Sequence, residues 1–148
     1  LRGGPVLLVE HDSVPAQTAA ELQRLKPSAI VVLGGTGAVS SATADQLKQY
    51  SPSVTRAAGA DRYATAVAVS QAVASSPVAY LATGLNFPDA LAGGVVAAAA
   101  GAPLLLVPGR CIPNGVRAEL VRLGVTRLVL LGGDGAVSSA LGALPPCT

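Results

Sequence analysis

The segment VVLGGTGAVSS, residues 31–41, returns near the C-terminus as LVLLGGDGAVSS, residues 128–139. In each, an apolar run meets three glycines within four residues and then a string of small residues. That is how a strand enters a helix through a tight turn. It is also how a chain cradles phosphate on free backbone N–H groups. Its recurrence poses a choice between a duplicated nucleotide site and a duplicated architecture. A shift of 98 residues lays Gly3–Ala42 on Gly101–Ala140 without a gap, with 21 of 40 positions identical. The chain therefore reads as the second half of one repeat, residues 1–53, followed by a complete repeat, residues 54–148. Half a repeat cannot bury both faces of its strands alone, so it must pack on the following repeat or on another chain.

The local pattern alternates strand and helix. Apolar strand runs are expected at Val6–Val9, Ala29–Leu33, Val78–Ala82, Leu104–Val107 and Arg127–Leu131. Helices are expected at Pro15–Leu25, Gly37–Tyr50, Arg62–Ala74, Pro88–Ala100, Val116–Leu123 and Ala136–Leu144. Pro15 and Pro88 suit a first helical turn, and Asp61 suits an N-cap. The strands lack polar alternation, which predicts an α/β fold whose parallel sheet is covered by helices on both faces.

Composition narrows the function. Charged residues are 12% of the chain, aromatics 3%, and the net charge is +2 with no basic run. A nucleic-acid surface needs clustered cations, so that class is set aside. Residues 90–109 carry no charge. They are rich in Ala and Gly and hold Gly101 and Pro103, so they read as a buried helix and strand with no membrane insertion. The chain opens at Leu1 with no signal peptide, which reads as a processed or excised piece. Cys111 and Cys147 lie outside the periodic segments, either as a disulfide in an exported protein or as two free thiols.

The Gly-rich turns match neither G-x-G-x-x-G nor G-x-x-x-x-G-K-[ST]. Where the first copy has Thr36 the second has Asp134, a carboxylate that would repel an anion. They are read as architecture. Glu10 follows a strand run, as does the metal-binding Glu of Toprim-type domains, but no Asp-x-Asp accompanies it and the second copy has Pro108 there. His11, the only histidine, has no partner fixed by sequence and is read as a surface-loop residue. No metal, no cofactor and no catalytic set is expected. A nucleotide- or metal-dependent α/β enzyme domain using the glycine turns is the alternative.

The unusual side chains gather in two stretches, AGADRYATAVAVS (58–70) and ATGLNFPDALAGG (82–94). These place Asp61, Arg62, Tyr63, Asn86, Phe87 and Asp89 at junctions leading into helices, where open α/β sheets bind ligands. In one reading Arg62 takes an anionic group while Asn86 and Asp89 bond sugar hydroxyls. In the other the contacts are internal: Asp61 and Asp89 cap helices, Arg62 pairs with a carboxylate, and Phe87 docks a neighbouring repeat.

These stretches, with YLATGLNFPDALAGGVVAAAAGAPLLLVP and IPNGVRAELVRLGVTRLVLLGGDGAVSS, resemble the second type of cell-wall-binding repeat of Gram-positive bacteria. The shared skeleton is D/N-R-Y-x-T-A, a strand, N-x-P/Y-x-D-A-L, A-P-L/I-L-L and V-x-x-L-G-G-x-x-x-V-S. The likeness covers residues 54–144 in full and 1–53 as a half copy. It implies a non-catalytic, Rossmann-like or Toprim-like module in tandem copies, often three about a pseudo-threefold axis. Such modules anchor exported proteins noncovalently to anionic wall glycopolymers, which implies a secreted, cell-wall or cell-surface location. The chain departs from the pattern in holding one and a half copies and in its two cysteines. Self-association is expected from the unpaired half repeat and the small apolar helix at Ala90–Ala100. A Cys111–Cys147 bond requires Pro145 and Pro146 to bring the chain round from the opposite sheet edge, and Cα atoms beyond about 7 Å would exclude it.

Overall fold

The computed structural model describes residues 4–147. In the complete copy, β3 (Val78–Thr83) is the middle strand of a parallel sheet, flanked by β4 (Leu104–Val107) and β5 (Arg127–Leu131). Tyr80 lies beside Leu104 and Val78 beside Arg127. Five of the six β3 residues are buried, which explains its unbroken apolar character.

Helices cover both faces. On one, α3 (Arg62–Ser70) and α5 (Asn114–Leu123) enclose a core of Ala79, Leu81, Leu105, Val107, Ile112, Val116 and Leu120. On the other, α4 (Pro88–Ala99) lays Ala97 against Tyr80 and Ala102, with Leu104, Val129 and Leu131 packed around them. Gly93 lets α4 approach β5 closely: a Cβ there would collide with the side chain of Leu131.

In the half copy, α1 (Ala16–Leu25) and α2 (Ser41–Leu47) pack with β1 (Ile30–Leu33) around Leu22, Val32, Val39 and Leu47. β1 pairs in parallel with β2 (Val54–Ala57), so this two-stranded sheet joins the half copy to the start of the complete one. Arg56 of β2 fastens the seam by donating to the Gly34 carbonyl (2.7 Å) and the Ser40 carbonyl (3.4 Å). Sequence patterning misses β2, because Val-Thr-Arg-Ala is neither an apolar run nor long enough to show alternation.

Two expectations are corrected. Val6–Val9 is not a strand: it pairs with no strand among the described residues, and Val6 and Leu8 are each 81% exposed. Its counterpart, Leu104–Val107, becomes β4 only because β3 lies alongside. The helices after the glycine turns also start later and run shorter than expected. In the first turn, Ala38 and Val39 donate to the Gly35 carbonyl, and Ser40 then caps α2 by accepting from Thr43 N–H (3.1 Å). In the second, Ala136 and Val137 donate to Gly133, and Ser139–Ala143 forms only a 3-10 turn. Gly34 and Gly132 both hold φ +105, so the two copies share this bend and the glycine that it requires.

No helix among the described residues is long and apolar enough to cross a membrane.

Candidate functional site

The C-terminal ends of β3, β4 and β5 open onto a cleft of about 350 Å³. Thr83 and Asn86 form one wall, Pro108 to Cys111 a second, and Gly135 with Ala136 a third. The site lies where open parallel sheets place ligands.

Several junction residues make contacts within the chain. Asp61 caps α3, its carboxylate accepting from Ala64 N–H at 2.8 Å. Arg62 donates from Nη1 to the Gly84 carbonyl. Tyr63 is half-buried against the core, with its ring edge beside Gly84; a Cβ on Gly84 would meet Tyr63 Cε1 at 2.7 Å. Arg62 and Tyr63 thus brace the backbone at the end of β3, just before the loop bearing Asn86. Asp89, in the first turn of α4, lies so close to Gly132 that a Cβ there would strike its carboxylate. Asn86 faces the cleft, and Phe87 is exposed at the start of α4.

The sequence alone does not single out Arg110. It stands on the cleft wall with no carboxylate within 4 Å among the described residues. Its charge reaches Asp134, whose carboxyl lies below its ordinary value. The main cause is the Ser139 N–H that it accepts at 2.6 Å, and Arg110 adds to it. Asp134 therefore satisfies the first N–H of the 3-10 turn, which Ser138 caps. The signal for Arg110 was the internal comparison, since the half copy has Asp12 at that position.

The half copy uses the corresponding loop differently. His11 Nδ1 meets Asp12 at 2.8 Å and its Nε2 lies 3.1 Å from the Thr36 carbonyl, tying the loop to the glycine turn. The Asp12 carboxylate raises the His11 pKa. Glu10 accepts from the Ser13 hydroxyl at 2.9 Å. No group of three or more candidate metal ligands occurs among the described residues.

Cys111 and Cys147 are joined in a disulfide, with Cα atoms 4.9 Å apart. The tail comes round as Pro145 accepts from Ile112 N–H at 2.8 Å and Cys147 donates to the Ile112 carbonyl at 3.3 Å. The bond fastens the loop that carries Arg110.

The sequence description of Cell wall binding domain 2 (CWB2) matches residues 56–141, more than half of the chain. The chain belongs to the CWB2 family. It is 31% identical over 140 residues to the N-acetylmuramoyl-L-alanine amidase LytC of Bacillus subtilis strain 168, covering 95% of this chain and 28% of LytC. It is 32% identical over 110 residues to the amidase enhancer of the same organism, covering 74% of this chain and 16% of that protein. Among solved structures, Cwp6 from Clostridium difficile superposes with a TM-score of 0.82 at 30% identity, over 91% of this chain and 22% of Cwp6. Cwp8 from Clostridium difficile gives 0.79 at 26% identity, over 93% of this chain and 24% of Cwp8. This CWB2 chain thus spans about a quarter of these relatives or less, and the likeness is to one region of each.

Proposed function

We propose that this chain is a non-catalytic module that holds an exported bacterial protein to the cell wall by noncovalent contact with an anionic wall glycopolymer. The observation that carries the reading is Arg110: an arginine with no ion-pair partner among the described residues, on the wall of an open cleft it shares with Asn86 and Thr83. A guanidinium is the side chain best shaped for a phosphate or carboxylate, while an amide and a hydroxyl suit sugar hydroxyls. Phe87, next to Asn86 in the chain, adds an exposed ring at the start of α4. Asp61, Arg62, Tyr63 and Asp89 hold the Asn86 loop and the β5 turn in place. Family membership supports wall attachment, and it favours a secreted or cell-surface location.

The finer architecture goes with this reading: a Rossmann-like or Toprim-like unit, divided as a half copy over 1–53 and a complete copy over 54–148. Self-association belongs to it too, through the exposed Leu91, Val95 and Val96 of α4. Light scattering that showed only monomer at micromolar concentration would overturn that element.

The test is sedimentation with purified walls, before and after extraction of their anionic polymers. Retention that vanishes on extraction supports the proposal. Equal retention on extracted walls overturns the anionic ligand, and no retention on either overturns wall attachment.

A further inference from the structure

The shift of 98 residues sets the loop that carries Arg110, residues 108–111, against residues 10–13 of the half copy. One backbone bond recurs in both loops. Ser40 N–H donates to the His11 carbonyl at 2.9 Å, and Ser138 N–H donates to the Gly109 carbonyl at 2.8 Å. The half copy adds further polar ties. Glu10 N–H donates to the Ser13 carbonyl at 3.0 Å, and the Ser13 hydroxyl donates to the Glu10 carboxylate at 2.9 Å. The Thr43 hydroxyl donates to the His11 carbonyl at 2.8 Å, and His11 Nε2 lies 3.1 Å from the Thr36 carbonyl.

None of these added ties can form around Arg110. Pro108 stands for Glu10 and has neither an N–H nor a carboxylate. Gly109 stands for His11, Cys111 for Ser13 and Leu141 for Thr43. Gly109 cannot carry a side chain in this conformation: its φ is +101, and a Cβ there would meet the Ala136 carbonyl oxygen at 2.7 Å. The loop thus lies hard against the second glycine turn but lacks the polar side chains that fasten its counterpart. The Cys111–Cys147 bond takes their place. It joins the residue after Arg110 to a tail whose Pro145 and Cys147 pair with Ile112. Such a tie differs in kind from those it replaces, because thiols can break it.

We propose that Cys111 and Cys147 are positioning residues for Arg110, and that their bond makes anion binding at the cleft dependent on redox state. Oxidised, the bond holds Arg110 on the cleft wall beside Asn86 and Thr83. Reduced, the tail frays from Ile112 and the loop keeps only its bond to Ser138, so a bound anion must order it. Both cysteines are partly exposed, within reach of a dithiol reductant. One reductant thiolate attacks one cysteine sulfur and forms a mixed disulfide; the other cysteine leaves as a thiolate and takes up a proton. The second reductant thiol then displaces the first cysteine. The chain gains two electrons and two protons, and the reductant is left as its own disulfide. The inference rests on the cleft reading above and adds its regulation.

The test compares the oxidised chain, the chain reduced with dithiothreitol, and Cys111→Ser/Cys147→Ser, all well below their melting temperatures. In the first arm, hydrogen exchange is read on the free protein. Reduction speeds exchange at the Ile112 and Cys147 amides by at least about tenfold and leaves the Ser40 amide, its half-copy control, unchanged. In the second arm, retention on purified walls falls by about three- to tenfold on reduction and returns on reoxidation. The serine variant matches the reduced chain and ignores reductant, and Arg110→Ala is equally weak in both redox states. Unchanged exchange at Ile112 and Cys147 overturns the positioning role. Faster exchange with undiminished retention overturns the redox dependence and leaves the bond a purely structural staple. A reduced chain that circular dichroism finds unfolded at the assay temperature also overturns it. An oxidised chain that walls do not retain overturns the ligand reading instead, while the exchange arm still decides the positioning role.

Discussion

Ser70 and Glu119, 49 positions apart, meet by a hydrogen bond in which both side chains are buried. The contact ties the end of α3 to α5 and completes the lone-pair needs of a carboxylate that Arg122 already grips.

Removing either partner tests that clasp. Ser70→Ala costs about 1 kcal/mol, the usual net worth of a buried hydrogen bond. Glu119→Ala costs about 2 kcal/mol, below the roughly 3–5 of a fully buried pair because Arg122 reaches solvent. Denaturant unfolding measures both. Equal stability of Glu119→Ala and the parent would show that the clasp contributes nothing.

The same group gives a pH signature. Hydrogen bonds from Arg122, then Ser70, hold the Glu119 carboxyl below its ordinary value of 4.5, against the opposing effect of burial. A depressed carboxylate contributes stability that is complete above the unfolded value and lost as pH falls through the folded one. Below pH 4.5 the parent therefore loses stability more steeply than Glu119→Gln. Parallel pH profiles for the two proteins would count against it.

The disulfide closes a sequence separation of 36 residues. Chain entropy for a loop of that size predicts a loss of about 4 kcal/mol in Cys111→Ser/Cys147→Ser. The melting temperature falls by roughly 10 °C. The Ile112–Pro145 pairing remains possible in the variant, so the fold persists and the effect is read as a shifted midpoint in calorimetry. An unshifted midpoint would mean that the backbone pairing alone holds the tail.

Arg110→Ala is expected to reduce retention on purified walls by about tenfold or more, the worth of one charge-assisted contact. Its melting temperature stays near the parent's, since the side chain is exposed and has no ion-pair partner among the described residues. Retention by the parent falls as salt rises. An Arg110→Ala protein that binds like the parent would move the ligand away from the cleft.

The glycine positions give a steric test. Gly93→Ala drives a methyl into Leu131 and costs about 1–3 kcal/mol by overpacking. At Gly94, where a Cβ would meet nothing, the same change gains helix propensity and stabilises by a few tenths up to about 1 kcal/mol. Thermal melts of the pair separate packing from propensity.

What the sequence disclosed follows from locality. β4 and β5 have the bounds expected, because their apolar runs end at residues that stop them: Pro108 after Val107, Gly132 after Leu131. The expected strand at Val6–Val9 failed for a non-local reason, since equal apolarity makes a strand only where another lies beside it. β2 was missed for the converse reason: pairing with β1 organises four residues whose own pattern is silent. The helices beyond the glycine turns are shorter than their composition suggests, because Ala38 and Val39 have helical composition but donate to a turn carbonyl instead. At the candidate cleft, the place of Asn86 just after a strand is legible in the sequence. Arg110 was an isolated cation in a loop, and only the fold sets it on a cleft wall with Asn86 and Thr83.

The stapled tail also governs how this domain bears load. Tension applied at Cys147 passes directly to Cys111 through the sulfur bridge, so the chain between them is bypassed. That segment includes α5, β5 and the second glycine turn, and at about 3.5 Å per residue it would otherwise pay out on the order of 120 Å of slack. Under force the complete copy yields a shorter, stiffer tether than its residue count implies, and reducing the bridge releases the hidden length.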